Sequence, residues 1–375
     1  MSVQANHLYV HVPFCTRRCV YCDFSIAVRS RVPVDEYLQA LESEWRARHS
    51  ESRFDLETLY FGGGTPSKLG GAGVQRLADT VLGGAHATLR SDAEVTLEAN
   101  PEDVSAEAVK AWKSAGVNRV SLGVQSFDDA VLMWMRRTHD GKTAHRAVRV
   151  LREGGIANIS IDLIFAVPST VPRAWEKDLE TALELDLPHV SVYGLTIEPH
   201  TPLGRWVARR DVAEAADEIF EVEFLQAHHA FTGQAYDHYE VSNYGKRDLH
   251  SRHNWAYWRR KPYGGLGPSA HEFDGAERRW NTSAYTEWLN RMSRGQDPTQ
   301  GKEELDTEQK TAEEVYLSLR TSMGVQASGL EGQLVNRLVS AGWAELSSDS
   351  TLKLTSSGWL RLDSIASDLT LLRSR

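Results

Sequence analysis

Short runs of apolar, β-branched and aromatic residues alternate, over the first 200 positions, with longer stretches whose apolar residues recur every three to four places. The short runs, at 8–14, 58–61, 94–98, 119–123, 159–165 and 189–194, have the length and composition of buried strands. The longer stretches, at 35–48, 73–82, 106–114, 129–137, 143–153 and 171–185, carry an apolar stripe at helical spacing. Asp35 and Ser105 stand where a side-chain oxygen can accept the free N–H groups of a helix start, and Gly116 and Gly154 where helices stop. Strands that are apolar throughout, each followed by a helix, predict a parallel sheet covered on its faces. The pattern supplies six βα units.

Polar and glycine residues interrupt this pattern mostly just after a strand. Three cysteines follow the first strand, Gly62-Gly63-Gly64-Thr65-Pro66 the second, Asn100-Pro101 the third and Gln125-Ser126 the fourth, while Asp162 lies within the fifth. Functional groups at the carboxyl ends of successive parallel strands belong to a (β/α) barrel, whereas a doubly wound sheet gathers them at one switch point. The expected fold class is α/β, a partial (β/α)6 barrel of TIM type.

Beyond residue 200 the pattern changes. A helix at 217–231 leads into an aromatic and basic loop region, 239–273, and the polar stretch 295–307 reads as a linker. A helix at 330–340, strands at 343–346 and 352–355 around a turn at 347–350, and a closing helix at 359–369 predict a small winged-helix-like domain. The expected division is residues 1–295 for the barrel with its aromatic extension and 300–375 for the C-terminal domain.

Composition alters this picture little. Hydrophobic and charged fractions of 41% and 25% are ordinary for a globular protein, and a net charge of −9 offers no general attraction to nucleic acid. No apolar run approaches the ~20 residues of a membrane span, and the first residues carry no basic leader. A cytoplasmic location is expected. An odd number of clustered cysteines argues against a disulfide framework.

Those three cysteines carry the first candidate chemistry. Cys15, Cys19 and Cys22 fall within eight residues with the spacing C-x3-C-x2-C. Three thiolates suit a soft metal centre but supply one ligand fewer than a closed site takes. A zinc ion completed by His11 or another histidine remains open, although zinc folds favour C-x2-C pairs; the other reading is an iron–sulfur cluster with one iron free. Arg17 and Arg18 would offset an anionic cluster. The glycine run is either a tight turn or a place where backbone groups approach a ligand. Glu98 ends an apolar strand, where a buried carboxylate needs a polar partner, and Asp162 occupies a strand position that disfavours it. Arg137 reads equally as a solvated helix arginine or a site residue.

The second candidate is Arg252-His253-Asn254-Trp255-Ala256-Tyr257-Trp258-Arg259-Arg260-Lys261. These residues fit an aromatic core seam with solvated charges, a nucleic-acid surface, or a porphyrin site with a histidine ligand and basic residues on the propionates. Residue types alone leave all three open.

Taken together, the C-x3-C-x2-C loop and Gly62–Pro66 resemble the radical S-adenosylmethionine (SAM) enzymes. That resemblance implies a 4Fe–4S cluster on Cys15, Cys19 and Cys22 with SAM on its open iron. It also implies a SAM pocket formed by Tyr9, Tyr21, Gly63, Gly64, Thr65, Glu98, Gln125, Arg137 and Asp162. Within the superfamily, His253-Asn254-x-x-Tyr257-Trp258 resembles the HNxxYW motif of the HemW-type heme chaperones. The stretches 239–243, 264–271 and 319–321 are similar to that branch as well.

The branch is related to the oxygen-independent coproporphyrinogen dehydrogenases. Phe24 stands where those enzymes have a further cysteine, and the stretch before residue 15 is shorter than their N-terminal extension. The resemblance therefore implies heme bound near His253, with His250 and His271 as alternative ligands, and delivered to acceptors such as respiratory cytochromes. It implies a reductant for the cluster, peripheral contact with a membrane and a homodimer. The alternatives are coproporphyrinogen decarboxylation or another radical reaction such as methyl transfer; a nucleic-acid modifier is disfavoured by the acidic chain.

Overall fold

In the computed structural model, which describes residues 5–49, 54–83 and 87–371, all six βα units are present. They comprise β1 (His7–Val12), α1 (Val34–His49), β2 (Phe54–Gly63), α2 (Gly70–Leu82), β3 (Ala87–Ala99) and α3 (Ala106–Ser114). These continue with β4 (Arg119–Gln125), α4 (Asp129–Trp134), α5 (Gly141–Glu153), β5 (Asn158–Phe165), α6 (Trp175–Glu184) and β6 (His189–Gly194). The six strands are neighbours in chain order and pair in parallel throughout. Alternate residues of each strand point to opposite faces. One set, with Leu8, Val10, Leu59, Phe61, Val95 and Leu97, is buried in the hydrophobic core.

The segment after α7 (Asp217–Thr232) extends this sheet at both edges instead of forming loops. β7 (Asp237–Glu240) and β8 (Asn243–Gly245) add antiparallel strands beside β6. After α8 (Arg252–Trp258), β9 (Gly264–Leu266) pairs in parallel with the opposite edge, on β1. The nine-stranded sheet thus runs from β9 to β7 with no pairing recorded between those edges among the described residues.

Three departures from the sequence pattern have local causes. The first strand stops at Val12 because Pro13 has no N–H to pair; Phe14–Cys15 then pairs with Ala27–Val28 and closes the cysteine loop at its base. The helix expected over 129–137 ends at Trp134. Arg136 takes a left-handed φ of 60°, and the amides of Arg136 and Arg137 bond back to Met133 and Leu132. The stretch expected to be a linker contains β12 (Thr299–Glu304), which lies beside β11 (Glu277–Asn281), itself paired with β10 (His271–Phe273). Its polar composition is that of an exposed strand held by cross-strand charge pairs, Lys302 on Glu277 at 2.9 Å and Arg278 on Glu303 at 3.7 Å.

A helix α9 (Tyr285–Ser293) precedes β12. The chain then folds as α10 (Thr307–Leu319), β13 (Val325–Gln326), α11 (Gly332–Ser340), β14 (Ala344–Leu346), β15 (Thr351–Leu354) and α12 (Leu362–Leu371). The three short strands pair as a small antiparallel sheet in the order β13-β15-β14, the helix-and-wing arrangement expected. Among the described residues no helix is long and apolar enough to cross a membrane.

Candidate cluster and nucleotide site

At the carboxyl ends of the strands the cysteine loop, the glycine run and the polar ends of β3 to β6 surround a cavity of about 530 Å³. Cys15, Cys19 and Cys22 are free thiols and all three line it. Gly63, Gly64, Thr65, Glu98, Gln125, Arg137, Asp162 and Tyr21 line it as well. Residues separated by up to 147 positions therefore share one chamber, as their strand-end placement predicts.

Each of these side chains is held by specific partners. Glu98 leans across to β2, accepting bonds from Tyr60 Oη and Gly63 N, both at 2.9 Å. Burial raises its carboxyl to about 7, against these two donors. Asp162 accepts from Ser121 Oγ at 3.2 Å, and its carboxyl is also pushed up, chiefly by burial. Arg137, freed by the early end of α4, reaches back to Asn100 Oδ1 at 2.6 Å, Gly123 O at 2.7 Å and Cys19 Sγ at 3.5 Å. It lines the cavity beside Cys19 and is not a solvated helix arginine. Gln125 has a left-handed φ of 70°, which turns the chain sharply at the end of β4.

The glycines have a structural reason of their own. Gly63 has φ 115°, and a Cβ there would lie 2.6 Å from the His11 ring; one on Gly64 would lie 2.6 Å from Pro13 O. Larger residues would push the glycine turn off β1, so close packing alone requires glycine here.

The donor set fits a multi-iron cluster better than one ion. Among the described residues no three His, Cys, Asp or Glu side chains converge closely enough to hold a single metal. In a cluster each thiolate takes its own iron, so the thiols stand around a space instead of meeting at a point. Burial pushes the Cys15 thiol up to about 11, opposed by a 3.4 Å hydrogen bond with Thr65 Oγ1, and raises Cys22 too. Those two protons leave when the cluster loads. His11 does not complete a zinc site: its Nε2 is bound to Ser25 O at 3.0 Å and its Nδ1 to Tyr9 Oη at 3.1 Å.

Two expected residues lie elsewhere. Tyr9 does not line this cavity: its ring stacks on Tyr60, centroids 5.9 Å apart, behind Gly62. His253 is only 1% exposed. Its Nδ1 bonds with Thr58 Oγ1 at 2.7 Å and its Nε2 with Tyr257 Oη at 2.9 Å, so both ring nitrogens are engaged. As placed, His253 braces Tyr257 and offers no free nitrogen to an iron. Tyr60, Ser121 and Tyr193 were missed by the sequence reading. Their only signal is a polar or amphipathic residue recurring on the inward face of an apolar strand.

A six-unit partial barrel with three cysteines, one iron-ligand short of closure, beside a chamber at its strand ends defines a radical SAM protein. Residues 9–182 match the Radical SAM superfamily. Over 98% of its length, and 96% of the relative's, the chain is 33% identical to heme chaperone HemW of Mycobacterium tuberculosis. Heme chaperone HemW of Bacillus subtilis is 35% identical, over 84% of both chains. The chain belongs to the HemW family. The structure of coproporphyrinogen III oxidase from Escherichia coli, a radical SAM enzyme, superposes with a TM-score of 0.83. At 22% identity over 98% of this chain and 91% of that one, it shows the same fold. A 4Fe–4S cluster and SAM are the cofactors this superfamily implies, and the residues present suit both.

Proposed function

We propose that this protein binds heme and passes it to heme-accepting proteins, respiratory cytochromes among them. Cys15, Cys19 and Cys22 hold the cluster, and Gly63, Gly64, Thr65, Glu98, Gln125, Arg137, Asp162 and Tyr21 hold SAM. The observation that carries this reading is the end-to-end likeness to curated heme chaperones, which spans both the barrel and the C-terminal segment. Phe24 supports it, since the position of the dehydrogenase's additional cysteine is here an exposed aromatic ring. Cluster and nucleotide supply redox chemistry when bound. The chain's own part is to hold them: Arg137 places a fixed positive charge against Cys19, and Glu98 and Asp162 offer carboxyl groups at the chamber wall. The partners this reading calls for are heme, its acceptors, a reductant for the cluster and a second copy of the chain. Residues 1–295 and 300–375 would act as separate domains.

The test is anaerobic reconstitution, followed by heme titration and transfer to an apo-cytochrome. Stoichiometric heme uptake and transfer, with cluster absorbance lost in each cysteine-to-alanine variant, is the expected result. Steady decarboxylation of coproporphyrinogen III by the reconstituted protein would replace this reading with the enzymatic one.

A further inference from the structure

A second cavity, of about 490 Å³, lies on the other side of the wall formed by β1 and the glycine turn. Its size is that of a pocket for a drug-sized or cofactor-sized ligand. Five aromatic side chains line it: Tyr9, Tyr257, Trp258, Tyr263 and Phe273. Tyr257 and Trp258 are the last two positions of the His253 motif, so the motif presents its aromatics to this chamber while its histidine stays behind them.

The lining also carries an imidazole and two guanidiniums. His271 is exposed on β10, touches the Trp280 ring at 5.9 Å between centroids, and among the described residues has no hydrogen bond to either ring nitrogen. Arg260 and Arg278 both lean over the Phe273 ring, at 5.4 and 5.7 Å. Within the lining they face one carboxylate, Glu313, which binds both; their other partners, Glu314 and Glu303, are solvent-facing. Among the described residues Arg260 Nη2 and Trp258 Nε1 are buried donors with no acceptor. A flat aromatic ligand with a metal at its centre and carboxylates on its edge would match this lining: faces against the rings, edge on the guanidiniums, metal on the imidazole.

We infer that heme is carried in this second cavity, with His271 as its axial ligand and Arg260 and Arg278 on its propionates, separate from the cluster chamber. The inference rests on the heme-carrying reading above and names its site. Placement here leaves the first cavity free for cluster and nucleotide at the same time. The two chambers are one side chain apart, because His11 lines the second while its ring abuts Gly63, which lines the first.

The experiment is titration of ferric heme into the full-length reconstituted protein, read from the Soret band, for wild type, His271→Ala and His253→Ala. In His271→Ala we expect at least a tenfold weaker affinity and a shifted Soret band, with added imidazole restoring the wild-type spectrum. His253→Ala, if folded by circular dichroism, should keep the wild-type Soret position. Because His271 is exposed, its variant should fold and load cluster normally. Wild type that takes up no heme would remove the proposed function and this site together. Wild-type binding with an unchanged His271→Ala titration would remove this site alone.

Discussion

Glu98 shows how one residue can be costly to the fold and useful to the site. Its folded-state carboxyl sits near 7, against an ordinary value of 4.5, because burial penalises the charge more than Tyr60 and the Gly63 amide relieve it. Between those values the folded state holds a proton that the unfolded chain has released, so stability falls as pH rises through this window. Linkage puts the effect on the order of 2 kcal/mol, allowing for water in the cavity. In apo-protein, Glu98→Gln should remove that part of the slope. Urea unfolding at pH 5 and pH 7.5 would show the wild type losing more stability than the variant over the same interval, and equal losses would refute the assignment. Glu98's place at the chamber wall was legible because a carboxylate at the end of an apolar strand needs a polar partner. Its partner Tyr60 was not, since tyrosine is an ordinary strand residue.

At the scale of elements, packing decided what periodicity could not. The apolar stripe of 129–137 continues past Trp134, yet the helix stops there and the reversal aims Arg137 at Cys19. The pattern likewise gave no hint that Glu44, on α1, is a junction. Its fully buried carboxylate accepts from Gly267 N and Trp288 Nε1 at 2.9 Å, Asn281 Nδ2 at 2.6 Å and Arg48 Nη1 at 3.1 Å. One side chain thereby ties α1 to the turn after β9, to β11 and to α9. Glu44→Leu leaves the Gly267 amide and Trp288 Nε1 without an acceptor, while Arg48 keeps Glu272 and Asn281; each buried donor left unpaired costs about 1–3 kcal/mol. The denaturant midpoint of the apo-protein should drop accordingly. A change under about 1 kcal/mol would mean that the junction relaxes around the loss.

For the whole molecule, the six βα units could be read from the sequence because each buries a contiguous apolar strand under a striped helix. The edges of the sheet could not, since β7, β8 and β9 are three or four residues long and are fixed by distant partners. The same is true of the seam between barrel and C-terminal segment. There the Val241 amide bonds to Arg320 O at 3.1 Å and the Ser322 amide to Tyr239 O at 2.9 Å, and the His238 and Trp359 rings meet with centroids 4.4 Å apart. Glu240, fully buried at this seam, has Arg320 as its cation, 3.6 Å away, and Arg320 lies over the Trp258 ring at 4.8 Å. Arg320→Ala leaves that carboxylate without a counter-charge, a loss of about 3 kcal/mol. The strain falls on the pairing between 239–241 and 320–322, so the C-terminal segment should loosen before the parallel sheet does. Hydrogen exchange resolved by peptide would show faster exchange across 307–371 with β1 to β5 unchanged, and Arg320→Lys should recover part of the protection. Uniform acceleration over both regions would instead make barrel and C-terminal segment one cooperative unit.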